Sequence, residues 1–420
     1  MAGTSYLGEL LGTLLERPRI LRRAEKDGSL AKLSTELLHE RTEVASLQIA
    51  SEILARFSTL EVAERTKYFR YMNNELDVDP AEITQAANAY GDDPSPEHYR
   101  ILACATEPKR YELLRRLNQP LGATAELVRM RADLLKIIRE HPNLAPTDID
   151  FCLMLRAWFN RGFLVLRQIT WDSPASILEK IIAYEAVHEI ETWDELRRRL
   201  HPADRRCFGF FHPAMPDEPL IFVEIALSKG IPSSIQDVLA DKREILDEGS
   251  ADTAVFYSIS NCQKGLSGIS FGNSLIKQVA RDLAIELPGI SNFVTLSPIP
   301  GFSQWLIDQG IEIDESDIPA VRKLAAYYLA RAKDEVDRPL DPVARFHLSN
   351  GAQIHAIHAD ADLSANGKAQ SSGVMVNYAY ELDKITDNLK RFAEKGQVAA
   401  TGAIRNLARQ GSQIVGKNSR

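Results

Sequence analysis

The stretch TAVFYSISNCQKGLSGISFGNSLIKQVARDLAIE, Thr253 to Glu286, runs from strand through a glycine loop into helix without a break. Thr253–Ser260 is rich in β-branched and aromatic residues and reads as a strand. From about Asn273 the period changes, and Leu275, Ile276, Val279 and Leu283 fall on one face of a helix ending near Glu286. Between them lies Gln263–Asn273, with Gly265, Gly268 and Gly272. Glycines let backbone N–H groups turn to one side, and a helix N-terminus adds free donors and a positive dipole end. Those are the requirements of a pyrophosphate cradle. They are equally those of a tight structural turn, because the spacing is neither G-x-G-x-x-G nor a P-loop.

Working outward, strands are expected at Phe163–Thr170, Arg206–His212, Pro219–Leu227 and Phe293–Leu296, with a helix from Ser173-Pro174 to Tyr184. Ile221, Val223, Ile225 and Leu227 alternate as on one buried face. Val343–Ser349 and Ala352–Ile357 flank Asn350-Gly351 and read as a two-residue hairpin, which puts His347 opposite Ile354 on a partly apolar face. Before Phe159 the apolar residues recur at helical steps instead, as in Leu47, Ala50, Leu54, Phe57 and in Leu127, Met130, Leu134, Ile138. Turn signals at Asp79-Pro80, Gly91–Pro96, Pro120 and His141-Pro142-Asn143 divide that half into six to eight short helices without strands. Two domains follow: an all-helical bundle over 1–160, suited to scaffolding or self-association, and a mixed, mostly antiparallel α/β domain over 161–420.

The chain has 420 residues, 45% hydrophobic and 26% charged, which suits folded domains and excludes wholesale disorder. Its 50 basic against 58 acidic residues leave −8, which argues against a dedicated nucleic-acid binder. Cys104, Cys152, Cys207 and Cys262 form no C-x-x-C pair, so a zinc ribbon or a disulfide framework is not expected. Glu9 and Glu16 interrupt the N-terminal leucines, so no targeting segment is read there. The longest uncharged stretch, Leu287–Ile307, carries Pro288, Pro298 and Pro300 and is no membrane span. A soluble, cytoplasmic protein with no membrane partner is expected.

Several residues stand out against these elements. Ser297 sits between a strand and the stiff Pro298-Ile299-Pro300 turn. His347 is the imidazole that an apolar setting would tune. Glu224, in a central strand between same-face neighbours Phe222 and Ala226, suits either a general base or a structural ion pair. Arg197, Arg198, Arg199, Arg205 and Arg206 form a basic cluster, either a solvated face or a phosphate contact. His358, Asp360 and Asp362 alternate like metal ligands but lack an obvious fourth, so no metal is expected.

Longer motifs carry a resemblance. Arg205–His212 with Glu218-Pro219-Leu220, Phe256–Ser260 with its Gln263–Asn273 loop, Leu296–Phe302, Phe346-His347-Leu348 with Asn350-Gly351-Ala352, and Gly373–Tyr378 with Tyr380 follow one another as in malonyl-CoA decarboxylase. The sequence resembles that family across most of 163–385, and the helical half agrees with it in layout. The resemblance implies an acyltransferase-like (GNAT) fold for the second domain, with coenzyme A held by Gln263, Lys264, Gly265, Leu266, Ser267, Gly268 and Asn273. It implies Ser297 and His347 as the catalytic serine and histidine, Ser258 as a second pocket serine and Tyr380 as a nearby tyrosine. The family usually has tryptophan and asparagine near His355 and His358, so those two histidines receive no role. The implied reaction takes malonyl-CoA to acetyl-CoA and CO2 with no cofactor beyond the coenzyme A of the substrate, His347 protonating carbon with a pKa near the working pH, in a homo-oligomer (dimer or tetramer) joined by the helical domain. Two alternatives remain at this level: an acyl-CoA N-acyltransferase with Glu224 as base, and a helical scaffold that senses acyl-CoA without turnover.

Overall fold

A computed structural model of the protein describes residues 28–269 and 275–418. The chain divides into two compact units, one comprising residues up to Phe151 apart from Arg131–Asp133, the other Arg131–Asp133 together with everything from Cys152.

The first unit contains no strand among its described residues. Its helices begin where short polar residues or proline can satisfy or dispense with the first N–H groups. The Ser29 hydroxyl accepts from Lys32 N–H, Asp79 accepts from Ala81 N–H ahead of Pro80, and Ser95 accepts from His98 N–H ahead of Pro96. The apolar stripes turn inward: Ala50, Leu54 and Phe57, like Leu127, Met130 and Leu134, are buried. Phe57 meets Phe69 edge-on at 5.5 Å between ring centres.

The second unit is built on an eight-stranded sheet: β1 (Val165–Gln168), β2 (Arg205–Phe211), β3 (Ile221–Ser228), β4 (Thr253–Asn261), β5 (Asn292–Thr295), β6 (Ser297–Pro298), β7 (Gln353–His358) and β8 (Met375–Ala379). The order is β1-β2-β3-β4-β5-β8-β6, with β7 also paired to β8. Every pairing is antiparallel except β4 with β5, which the helix Leu275–Glu286 connects as a crossover. The helical half and mixed-sheet half expected from the sequence are both present.

Three local expectations change. Phe163 belongs to a single 3₁₀ turn, Arg161–Phe163, and the edge strand starts only at Val165. β3 is buried at every position from Ile221 to Leu227, because it lies inside the sheet with both faces covered. The register with β4 shifts between Glu224 and Ile225, leaving Tyr257 as the extra residue on β4, while β3 stays regular against β2, so Phe222, Glu224 and Ala226 keep one face.

The third change moves a candidate residue. Pro342–Leu348 is a helix and not the first strand of a hairpin. Asp341 caps it through Ala344 N–H at 2.7 Å, and Pro342 takes the first helical position. Asn350-Gly351 ends that helix: Gly351 has φ +86°, and Ala352 N–H returns to the His347 carbonyl at 3.1 Å. A Cβ at Gly351 would lie 2.6 Å from the Ile385 carbonyl oxygen, so close approach also demands glycine there. His347 therefore sits in the last turn of a helix, and Ile354 pairs with Tyr378 instead.

Candidate active site

The parallel partners β4 and β5 stay in register only from Thr253/Asn292 to Phe256/Thr295. Beyond that point β4 runs on to Asn261, while the other chain turns away at Ser297-Pro298 to pair with Val376 and Met375 of β8. The parting strands leave a cavity of about 230 Å³. Phe256, Ile259 and Asn261 line one side, Ser297 and Pro298 the other, and Val343, Phe346 and His347 of the short helix contribute a third wall. Val187 completes the apolar part, and no lysine or arginine is among the described lining residues.

Ser297 and His347 meet here although fifty positions separate them. The Ser297 Oγ lies 3.3 Å from His347 Nε2, and the same hydroxyl donates to Thr295 Oγ1 at 2.9 Å. On the far side of the ring, Nδ1 lies 2.8 Å from the Tyr380 hydroxyl. Tyr378 stacks on the imidazole with centres 4.4 Å apart and planes at 23°. Ser297, His347, Tyr378 and Tyr380 are all buried. Burial without any charged neighbour pushes the His347 pKa down from 6.5 to about 3. This corrects the expectation of a pKa near the working pH, since desolvation keeps the ring neutral.

Ser258 is placed elsewhere. Its hydroxyl lies 2.7 Å from both oxygens of the buried Glu185 carboxylate, which also accepts the N–H groups of Val187 and His188 and, at 3.2 Å, the Ser260 hydroxyl. Glu185 thus pins the 185–188 segment, and with it cavity-lining Val187, onto β4. Glu224 belongs to this second cluster, fully buried and 3.1 Å from Arg199. Burial first, and then the Glu185 charge, raise its pKa from 4.5 to about 8 despite that partner. It does not line the cavity.

The arginine cluster is committed to structure. Arg198 pairs with Asp241 at 2.9 Å, Arg199 with Glu224, and Arg206 with Glu248 and Glu286. Arg205 donates to the Val238 carbonyl at 2.6 Å, and Arg197 lies over the Trp171 ring. Among the described residues no group of three or more His, Cys, Asp or Glu is arranged to hold a metal ion. His358 instead lies 2.5 Å from the Asn377 side-chain oxygen. No helix among the described residues is long and apolar enough to cross a membrane.

The described part of the glycine loop, 263–269, is a turn held from behind. Lys264–Leu266 forms one 3₁₀ turn, and Gly268 has φ +77°. Arg131, which packs with the second unit, donates to the carbonyls of Gly265 (2.6 Å) and Ser267 (2.9 Å), and Arg156 reaches that of Gly268 at 3.4 Å. Gly265 and Leu266 are buried, whereas Lys264, Ser267 and Gly268 are exposed. Gln263 turns its amide to the Pro219 carbonyl and Glu218. Asn273 lies outside the described residues. Sequence reasoning missed Arg131, Glu185, Thr295 and the stacking of Tyr378, and no local pattern marks any of them.

Together these features place a hydroxyl, a neutral imidazole and a phenol in a row at the wall of a mostly apolar cavity, a candidate acid–base site. A family model described as the malonyl-CoA decarboxylase C-terminal domain matches residues 162–318 and 312–418, and one for the N-terminal domain matches 76–159. Mitochondrial malonyl-CoA decarboxylase of Rattus norvegicus is 30% identical over 434 residues, covering 89% of this chain and 88% of the relative. Crystal structures of malonyl-CoA decarboxylase from Rhodopseudomonas palustris and Agrobacterium vitis are each 45% identical, with TM-scores of 0.84 and 0.85. The first covers 90% of this chain and 98% of its own, the second 91% and 100%. The chain belongs to the malonyl-CoA decarboxylase family.

Proposed function

We propose that the protein decarboxylates malonyl-CoA to acetyl-CoA and CO2 through a thioester enolate, with the coenzyme along the 263–268 turn and the acyl group in the cavity beside Ser297 and His347. One observation carries this: the serine–histidine pair lies in a cavity whose lining contains no cation among the described residues. A carboxylate entering it exchanges water for Val187, Phe256, Val343 and Phe346 and gains no ion pair. Loss of CO2 removes that charge and moves the electron pair to the thioester oxygen, where hydrogen-bond donors are available. The transition state is thereby favoured over the bound substrate. The thioester carbonyl is itself the electron sink, so the reaction as proposed needs no further cofactor.

On binding, the Ser297 hydroxyl swings from Thr295 to the developing oxyanion. The His347 Nε2–H, released from Ser297, delivers its proton to the methylene carbon. Tyr380 steadies the imidazole at Nδ1. Glu224 as the base of an amine acyltransferase finds no support, since it is paired to Arg199 and is not among the described residues that line the cavity. Self-association through the helical unit remains part of the proposal, supported by exposed Tyr99, Ile101 and Leu121 there and tested by sedimentation.

The test is product analysis with malonyl-CoA, first without any acceptor and then with an added amine. Stoichiometric acetyl-CoA and CO2 are expected. Acyl transfer to an added amine without CO2, or tight coenzyme A binding without turnover, would overturn the proposal.

A further inference from the structure

We propose that Thr295 is a positioning residue that sets the tautomer of His347: by taking the Ser297 hydroxyl proton, it leaves Nε2 to carry the imidazole hydrogen and Nδ1 to accept from Tyr380. Thr295 ends β5 and is fully buried. Its Oγ1 accepts the Tyr378 backbone N–H at 3.1 Å and the Ser297 hydroxyl at 2.9 Å, which occupies both lone pairs. Its carbonyl accepts the Asn377 amide at 2.8 Å, so the residue is tied at both ends.

The rest is donor accounting. Ser297 has one proton, and it points to Thr295, so the 3.3 Å contact with His347 is made by Nε2–H donating to Ser297 Oγ. The hydroxyl of buried Tyr380 then donates to Nδ1, 2.8 Å away. The opposite tautomer would leave the Tyr380 proton without this acceptor, and it would need Ser297 to donate to Nε2, reversing the Ser297–Thr295 bond so that Thr295 donates. Buried donors are rarely left unsatisfied, so the Nε2–H arrangement wins. The depressed His347 pKa agrees, because a neutral ring must place its single hydrogen on one nitrogen.

The consequence rests on the decarboxylase reading above. When CO2 leaves, the C–C electron pair becomes the enolate. The Nε2–H bond breaks as the new C–H bond forms, while the Tyr380 O–H proton moves to Nδ1. A solvent proton then enters at Nε2 and the Nδ1 proton returns to Tyr380. One proton is consumed per turnover, as the overall reaction requires, and no imidazolium has to pre-exist.

The experiment has two independent readouts on the full-length protein. In histidine-¹⁵N-labelled protein without substrate, with the His347 signals assigned by their loss in His347→Gln, the hydrogen is expected on Nε2 of wild type and on Nδ1 of Thr295→Val. Kinetically, Thr295→Val should lower kcat on the order of 10²-fold, at the low end of general acid–base effects, with KM changed less than about twofold. Thr295→Ser, which restores the acceptor, should recover kcat to within about threefold of wild type. A wild-type signal with the hydrogen on Nδ1 overturns the proposal even if Thr295→Val fails to fold. So does a kcat in Thr295→Val equal to that of Thr295→Ser. If wild type shows Nε2–H but no CO2 is released from malonyl-CoA, the functional reading fails and the tautomer assignment stands.

Discussion

The second unit holds two buried polar clusters that look alike as lists of residue types and differ in physics. One joins Thr295, Ser297, His347 and Tyr380 at the wall of the cavity. The other joins Glu185, Ser258, Ser260, Glu224 and Arg199 within the core. The first contains no ion while its imidazole is neutral, and each of its protons has a second place to go. The second contains ionisable groups matched to one another, and its hydroxyls are spent holding the 185–188 segment against β4. Burial acts on both, lowering His347 to about 3 and raising Glu224 to about 8, and in each case it suppresses charge. Only the cluster that meets the cavity can turn suppressed charge into catalysis, because only there can a substrate deliver a new one.

The comparison breaks most visibly at His347. His347→Gln should cut kcat by about 10²–10⁴-fold in an acetyl-CoA formation assay, since the proton donor is lost. Ser297→Ala should cost about 10²–10³-fold, the usual effect of deleting one oxyanion donor. Ser258→Ala, at a serine of the other cluster, should change kcat by less than about tenfold and act mainly on stability, by about 1–3 kcal/mol for a carboxylate left short of one donor. If Ser258→Ala cost as much turnover as Ser297→Ala, the two clusters would be one functional unit. The pH profile sharpens the same contrast. With His347 neutral down to about 3, kcat should show no loss on passing upward through pH 6.5, whereas an imidazolium acid of ordinary pKa would lose activity there.

How much of this was legible follows from the range of the interactions. The strand–loop–helix run from Thr253 to Glu286 announces itself because alternation, glycines and helical period are all local. Ser297 is marked by its prolines, and His347 and Tyr380 by motif resemblance. The Asn350-Gly351 dipeptide misleads, because a residue that reverses a hairpin and one that ends a helix need the same positive φ. The decisive local signal was Asp341-Pro342, an N-cap followed by proline, which starts a helix and is out of place in a strand. Thr295, Glu185 and Arg131 could not be found this way. Glu185 meets Ser258 across 73 positions and Arg131 meets Gly265 across 134, while Thr295, only two residues from Ser297, is held in place by Tyr378 across 83.

The smallest expected effect is on stability, where the clusters should lean in opposite directions with pH. The folded pKa of His347, about 3, lies below its ordinary 6.5, so the unfolded chain binds more protons between those values. Its contribution to stability is full above pH 6.5 and is lost as pH falls toward 3. The folded pKa of Glu224, about 8, lies above its ordinary 4.5, so the folded protein binds the extra proton. Its contribution is full below pH 4.5 and is lost as pH rises through 8. Trp158, Trp171, Trp193 and Trp305, the chain's four tryptophans, all belong to the second unit, so their fluorescence follows its unfolding in urea. Relative to wild type, His347→Gln should remove stability's rise between pH 3 and 6.5, and Glu224→Gln its fall between pH 4.5 and 8. Each change should be of the order of 1 kcal/mol per pH unit inside its window and absent outside it. Were both variants to flatten the same limb, the two clusters would share a proton, and the boundary drawn between the reactive and the structural polar core would disappear.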